Sequence, residues 1–177
     1  MATDNKIVVF NEQVLNVNDL KKYDRASDKY MTVALLLSAY KTWTPDNESD
    51  CEEIMKALMN SPTVKDSYSA HTKQFVKDRM MQNNKYNYIA NSYFKGATVE
   101  NGYKPSEPLT LEFQEFPYAP QKSNMYGVTL TIDKVMVKSA GADSVRSVSV
   151  YKDPEDDNWY IWSDTYGGLL TDVRSPK

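Results

Sequence analysis

The chain has 177 residues, 41% of them hydrophobic and 12% aromatic, with 24 acidic against 21 basic side chains and a net charge of −3. That length fits a single domain over 1–177, and the apolar content excludes a disordered chain. The largest basic cluster is Lys21, Lys22 and Arg25, too small to neutralise a run of phosphates, so nucleic acid is not an expected partner.

In chain order, MATDNKIVVF places Asp4 and Asn5 before a short apolar run and lacks the basic region and long apolar core of a signal peptide. IVVF at 7–10 is β-branched with polar flanks, which predicts an added N-terminal strand. VLNVNDL at 14–20 suits a strand or a turn. Ser27 and Asp28 are helix start signals, and Tyr30, Val33, Ala34, Leu37 and Tyr40 keep helical spacing, predicting a helix over 27–42. Leu35 and Leu36 widen its apolar stripe until it is buried on most sides. The run MTVALLLSA at 31–39 falls short of the ~20 apolar residues that span a bilayer, so no membrane association is expected.

A second helix is expected over 50–60, where Asp50 and Glu53 have capping-box spacing and Cys51, Ile54, Met55, Leu58 and Met59 share a face. A third is expected over 65–82, with Tyr68, Thr72, Phe75, Val76, Arg79 and Met80 aligned. After residue 85 the period shortens to two. Leu109, Leu111 and Phe113 alternate with polar residues, as do Tyr126, Val128, Leu130 and Ile132. The apolar parity then flips to Val135 and Val137, which predicts a bulge or short turn near Asp133 and Lys134. Val148 and Val150 continue the alternation, and the acidic turn 153–158 leads into WYIW. The fold class is α+β, with the N-terminal helices on one face of an antiparallel sheet over 109–163.

Few residues carry chemistry. His71 is the only histidine, so a metal site built on imidazoles and a nucleophile triad both lack parts, and a structural role is expected for it. Cys51 aligns with the apolar face of its helix beside Glu52 and Glu53, as a buried, unreactive thiol does. One cysteine forms no internal disulfide, which fits a cytoplasmic location. Asp153, Glu155, Asp157 and Asp164 mimic calcium-loop spacing, but Asn158 stands where that loop needs glycine, so a solvated turn is expected and no metal. No phosphate-binding or nucleophile-elbow motif occurs, and no cofactor is implied.

Three stretches remain as binding candidates. In WYIW, Trp159 and Ile161 point to one sheet face and Tyr160 and Trp162 to the other. The second pair is either covered by a loop or the C-terminal segment, with Leu169, Leu170 and Val173 at hand, or lines a ligand cleft. In SAGADSVR, Asp143 and Arg146 serve an internal network or grip an anion. In the connection 91–108, Gly96 and Gly102 allow tight turns, Pro105 and Pro108 stiffen the exit, and Tyr93, Phe94 and Tyr103 anchor the loop.

SYFKGATVENGYKPSEP, SAGADSVRSVSV and the closing WYIW…GLLTDVRSP resemble the signature blocks of a bacterial family of uncharacterised proteins of this size, from KKYD at 21–24 onward. Val145 and Ser147 stand where that family often has a second proline. The resemblance implies no activity and carries over no catalytic residue. Two function classes follow: a non-catalytic module binding a protein, peptide or small molecule, or a small enzyme with a helix-plus-curved-sheet pocket of the nuclear-transport-factor-like kind.

Overall fold

The apolar run from Thr32 to Tyr40 is buried on every side, and the other elements are arranged around it. The computed structural model describes residues 5–177; Asp4, and the side chains of Asn5 and Asp164, lie outside the described residues. Helix α1 (Lys29–Thr42) starts at Asp28, whose carboxylate accepts the N–H groups of Tyr30 and Met31 at 2.9 and 3.3 Å. Two of the four free donors of the first turn are thereby satisfied.

Helix α2 (Glu48–Met59) begins earlier than the sequence pattern predicts, and the Asp50/Glu53 capping box does not form. The cause is Asn47. Its side-chain oxygen accepts the Thr44 N–H at 2.6 Å and its amide donates to the Thr42 carbonyl, so the Thr44–Asn47 turn feeds straight into the helix. Asp50 therefore falls inside the first turn. Helix α3 (Ala70–Met81) begins later than the expected 65, at a capping box of Ser69 and Thr72. Ahead of it, Asn60 Oδ1 takes the Tyr68 N–H at 2.8 Å and holds the connection as turns. The expected stripe is otherwise present: Thr72, Val76 and Met80 are buried, with Tyr68, Phe75 and Arg79 half-buried. The ambiguous 14–20 segment runs into a short 3-10 helix, Val17–Lys22, capped reciprocally by Asn16 and Asp19.

The sheet has strands β1 (Asn5–Phe10), β2 (Leu109–Gln114), β3 (Gln121–Met125), β4 (Val128–Val137), β5 (Arg146–Lys152) and β6 (Trp159–Ile161). Every pairing is antiparallel, in the order β1-β2-β4-β5-β6, and β3 pairs with the N-terminal half of β4. The added N-terminal strand thus exists, pairing along the whole of β2 from Asn5↔Gln114 to Phe10↔Leu109.

The bulge expected at Asp133 is absent. β4 pairs with β5 without interruption from Thr131↔Lys152 to Val137↔Arg146. The flip in apolar parity instead records a change in which face is covered. Asp133, Val135 and Val137 lie on the helix face with Val148, Val150 and Ile161, and all of these but Asp133 belong to the main core. Leu130 and Ile132 point the other way, into a second cluster with Val64, Tyr151, Tyr160 and Trp162. A strand with apolar neighbours on different faces along its length needs no distortion to switch parity.

The connection 91–108 is folded onto the body, with Phe94 bridging to Leu111 and Tyr93, Phe94, Ala97 and Tyr103 buried. The C-terminal end is strapped beside it. Arg174 N–H donates to the Gly141 carbonyl at 3.0 Å, Lys177 N–H to Val99 at 3.0 Å and the Tyr103 hydroxyl to the Arg174 carbonyl at 2.7 Å. No described helix is long and apolar enough to cross a membrane.

Candidate functional site

Strand register lays out the outer face of the sheet as rows of neighbours. Gln121 pairs with Ile132, Ile132 with Tyr151, and Tyr151 with Tyr160. The adjacent row begins with Lys134 paired to Ser149 and ends at Trp162, whose backbone N–H donates to the Ser149 carbonyl at 2.9 Å. Directly opposed residues in an antiparallel pair hold their Cβ atoms ~5 Å apart on one side of the sheet. The connection between β2 and β3 passes over these rows, with Pro117 and Pro120 on either side of Tyr118.

Between that connection and the strands lies a cavity of about 530 Å³, lined by Phe116, Tyr118, Gln121, Ile132, Lys134 and Trp162 among others. That volume suits a small organic ligand. Phe116 and Tyr118 meet edge to face at 5.3 Å, and Tyr118 is 71% exposed. The Lys134 ammonium stands 5.3 Å from the Phe116 ring centroid. Trp162 is held edge-on against Tyr151 at 5.2 Å. Tyr151 is fixed in turn by its hydroxyl, which donates to the Met59 carbonyl at 2.6 Å.

Besides Asp133 and the Tyr118 phenol, four polar side chains line or border this cavity: Gln121, Lys134, Ser149 and Trp162. Among the described residues none of them forms a side-chain hydrogen bond or ion pair within the protein. The one carboxylate at the cavity, Asp133, is committed elsewhere. It sits on the helix face, where Lys29 Nζ lies 2.5 Å from Oδ2, while Oδ1 accepts the Lys134 N–H at 2.8 Å.

The structure does not gather the six residues singled out from sequence into one place. Trp162 lines the cavity. Tyr160 shares its face but is buried, stacked on Tyr151 at 5.5 Å, covered by the Arg25 guanidinium at 4.8 Å and bonded through its hydroxyl to Asp156. Burial, followed by that hydrogen bond, pushes its phenol well above the usual range. Leu169, Leu170 and Val173 join the main core instead of covering this pair, and Val64 from the α2–α3 connection takes that part. Arg146 pairs with Val137 on the opposite face, and its guanidinium donates to the carbonyls of Gly168 and Asp172 at 3.4 and 3.0 Å. Asp143 is exposed and reaches Arg174 at 2.6 Å. Tyr93 donates to the Leu169 carbonyl at 2.7 Å, and Tyr103 stacks on Tyr88 at 5.8 Å.

Sequence reasoning missed Phe116, Tyr118, Gln121, Lys134 and Ser149. The available signal was FPYAP at 116–120, an aromatic residue held between two prolines in a connection with no strand or helix period. Cys51 is buried, its thiol donating to the Ala39 carbonyl at 3.2 Å, and burial pushes its pKa up to about 11. Among the described residues no group of His, Cys, Asp and Glu is arranged to hold a metal ion; Asp164 of the calcium-like spacing lies outside them.

The site and fold define an α+β protein with its helices on one sheet face and an aromatic cavity on the other. The chain belongs to the family described as Domain of unknown function (DUF6935), which matches residues 13–177. No curated protein and no solved structure matches it.

Proposed function

We propose that this chain is a non-catalytic binding module that takes a small ligand in the outer-face cavity. The observation carrying this reading is the set of polar side chains at Gln121, Lys134, Ser149 and Trp162, which among the described residues form no side-chain hydrogen bond or ion pair, around an aromatic-lined space of about 530 Å³. Polar groups with no hydrogen bond inside the protein can bond a ligand in a concave site without first giving up an internal partner. Binding is favoured over turnover because, among the described residues, Ser149 has no base: Asp133 is held by Lys29 on the other face, and His71 is exposed on α3.

A protein partner is the second reading, supported by the open edge strand β1, where Ile7 and Val9 are 58% and 45% exposed. A cytoplasmic location fits the single buried thiol at Cys51. We read 1–177 as one unit with neither nucleic acid nor membrane as partner, in keeping with the net charge of −3.

A thermal-shift screen against metabolites, sugars and metals tests the binding reading, since a ligand of the native state raises Tm by mass action. A hit whose shift shrinks in Tyr118→Ala supports it. Hits whose shifts are all unchanged in Tyr118→Ala would move the site elsewhere and refute it.

A further inference from the structure

We propose that the outer-face cavity recognises a small ring-bearing carboxylate, with the ring against Trp162 and Tyr118 and the carboxylate between Lys134 and Ser149. This rests on the binding reading above and adds the chemistry of the ligand. Lys134 and Ser149 are direct partners across β4 and β5, so an ammonium and a hydroxyl stand side by side on one surface. One carboxylate accepts from both, one oxygen to each. Among the described residues Lys134 has no acidic partner; its cation faces only the Phe116 ring at 5.3 Å. Asp133, the nearest acid in sequence, is neutralised by Lys29 at 2.5 Å across the sheet. Among the described residues the cavity therefore presents one positive charge without an acidic partner.

The rest of the lining selects a ring. Phe116, Tyr118 and Trp162 supply three aromatic side chains and Ile132 an aliphatic one, surfaces that stack against a planar ring or the C–H face of a pyranose. Gln121, paired with Ile132 at the far side, is placed to bond a ring substituent. A phosphate fits less well. Dianions are usually met by several donors, an arginine fork or a helix N-terminus, whereas here one lysine and one hydroxyl match a monoanion. Aromatic acids and uronic sugars share this chemistry.

The test is a set of titrations into the full ¹⁵N-labelled chain, with benzoate and glucuronate as probes and benzamide and glucose as their uncharged counterparts. The Trp162 indole N–H, identified with Trp162→Phe, and the Ser149 and Lys134 amides report on the cavity. Saturable shifts of these signals by a carboxylate are expected, with affinity about three- to tenfold above its neutral counterpart, the range for one partly solvated charge pair. Lys134→Met should remove that preference. Stronger binding of benzoate assigns an aromatic acid, and of glucuronate a uronic sugar. Equal affinity for the neutral probes, or a preference that survives Lys134→Met, overturns the ligand class while leaving the binding reading intact. Silence of the cavity signals to all four probes overturns the inference outright, and the broader thermal-shift screen then decides the binding reading by itself.

Discussion

Lys29 and Asp133 form an ion pair at 2.5 Å that ties the first turn of α1 to the middle of β4, with side chains only 18% and 6% exposed. The pair faces the main core, between Val150 on the neighbouring strand and the buried run of α1. A buried charge stripped of its partner is costly, whereas replacing both partners by apolar groups can be nearly neutral. Lys29→Met should therefore lower stability by about 3 kcal/mol, and Lys29→Met with Asp133→Leu should recover most of it. Urea unfolding of the wild type and these two variants measures this; a double variant as weak as the single one would show that the pair is not electrostatically coupled.

Acid sensitivity should centre on Asp153. Burial alone would raise its carboxyl, but hydrogen bonds from Ser61, the Glu155 N–H and Thr63 outweigh it and hold the group below the ordinary aspartate value. The unfolded chain then takes up the proton first, so the contribution is complete above about pH 4 and drains as the pH falls through the native value. Thr63 donates twice, from N–H and hydroxyl, each at 2.9 Å, which makes Asp153 the clasp between the α2–α3 connection and the β5–β6 turn. Asp153→Asn should cost about 1–3 kcal/mol at neutral pH. The gap in urea midpoint between the variant and the wild type should narrow as the pH falls below about 4, and a constant gap would contradict this assignment.

The alkaline side depends on buried phenols and one thiol. Desolvation raises Tyr40, Tyr68, Tyr93, Tyr151 and Tyr160, and pushes Cys51 up to about 11. Raised native values contribute stability that is present below the unfolded values, ~8.5 for Cys and ~10 for Tyr, and lost as pH rises through the native ones. Phenolate absorbance should accordingly appear in two stages, the second coinciding with unfolding. Cys51 should resist thiol reagents at pH 8 until urea opens the core. A single non-cooperative phenolate titration would count against the packing described here.

Gly96 and Gly102 both have positive φ, +90° and +70°, yet differ in their surroundings. A Cβ on Gly102 meets nothing within 4 Å, while one on Gly96 comes within 2.8 Å of the Ser106 nitrogen. Gly102→Ala should cost about 1 kcal/mol from backbone strain alone, and Gly96→Ala about 2–4 kcal/mol because the Lys95–Ser106 backbone bond at 2.9 Å must give way. Equal losses would indicate that the 91–108 connection relaxes freely.

Local pattern made much of this architecture legible. Asp28 before an apolar run marked α1, and Leu109, Leu111 and Phe113 marked β2, because a cap and a one-sided burial are encoded within a few residues. Interactions that bypass the local pattern were not legible. Asn47 outcompeted Asp50 as the start of α2 through bonds to Thr42 and Thr44. The parity change at Asp133 looked like a bulge because Val64, distant in sequence, covers the outer face only along the first half of β4. The cavity is hidden for the same reason: Lys134 and Ser149 become neighbours only through β4–β5 register, and Phe116 and Tyr118 come from a connection without periodicity. Only Trp162 was visible beforehand, since a tryptophan alternating onto the less covered face is conspicuous in a strand.

The central claim is that the space between the β2–β3 connection and Trp162 is a ligand site. Calorimetric titration of the strongest thermal-shift ligand into the wild type and into Tyr118→Ala tests it most directly. Tyr118 is 71% exposed, so its removal should leave Tm nearly unchanged. One site per chain with affinity about tenfold weaker in the variant, the loss of one stacked ring, is the expected result. Identical affinity in the two proteins would contradict the claim.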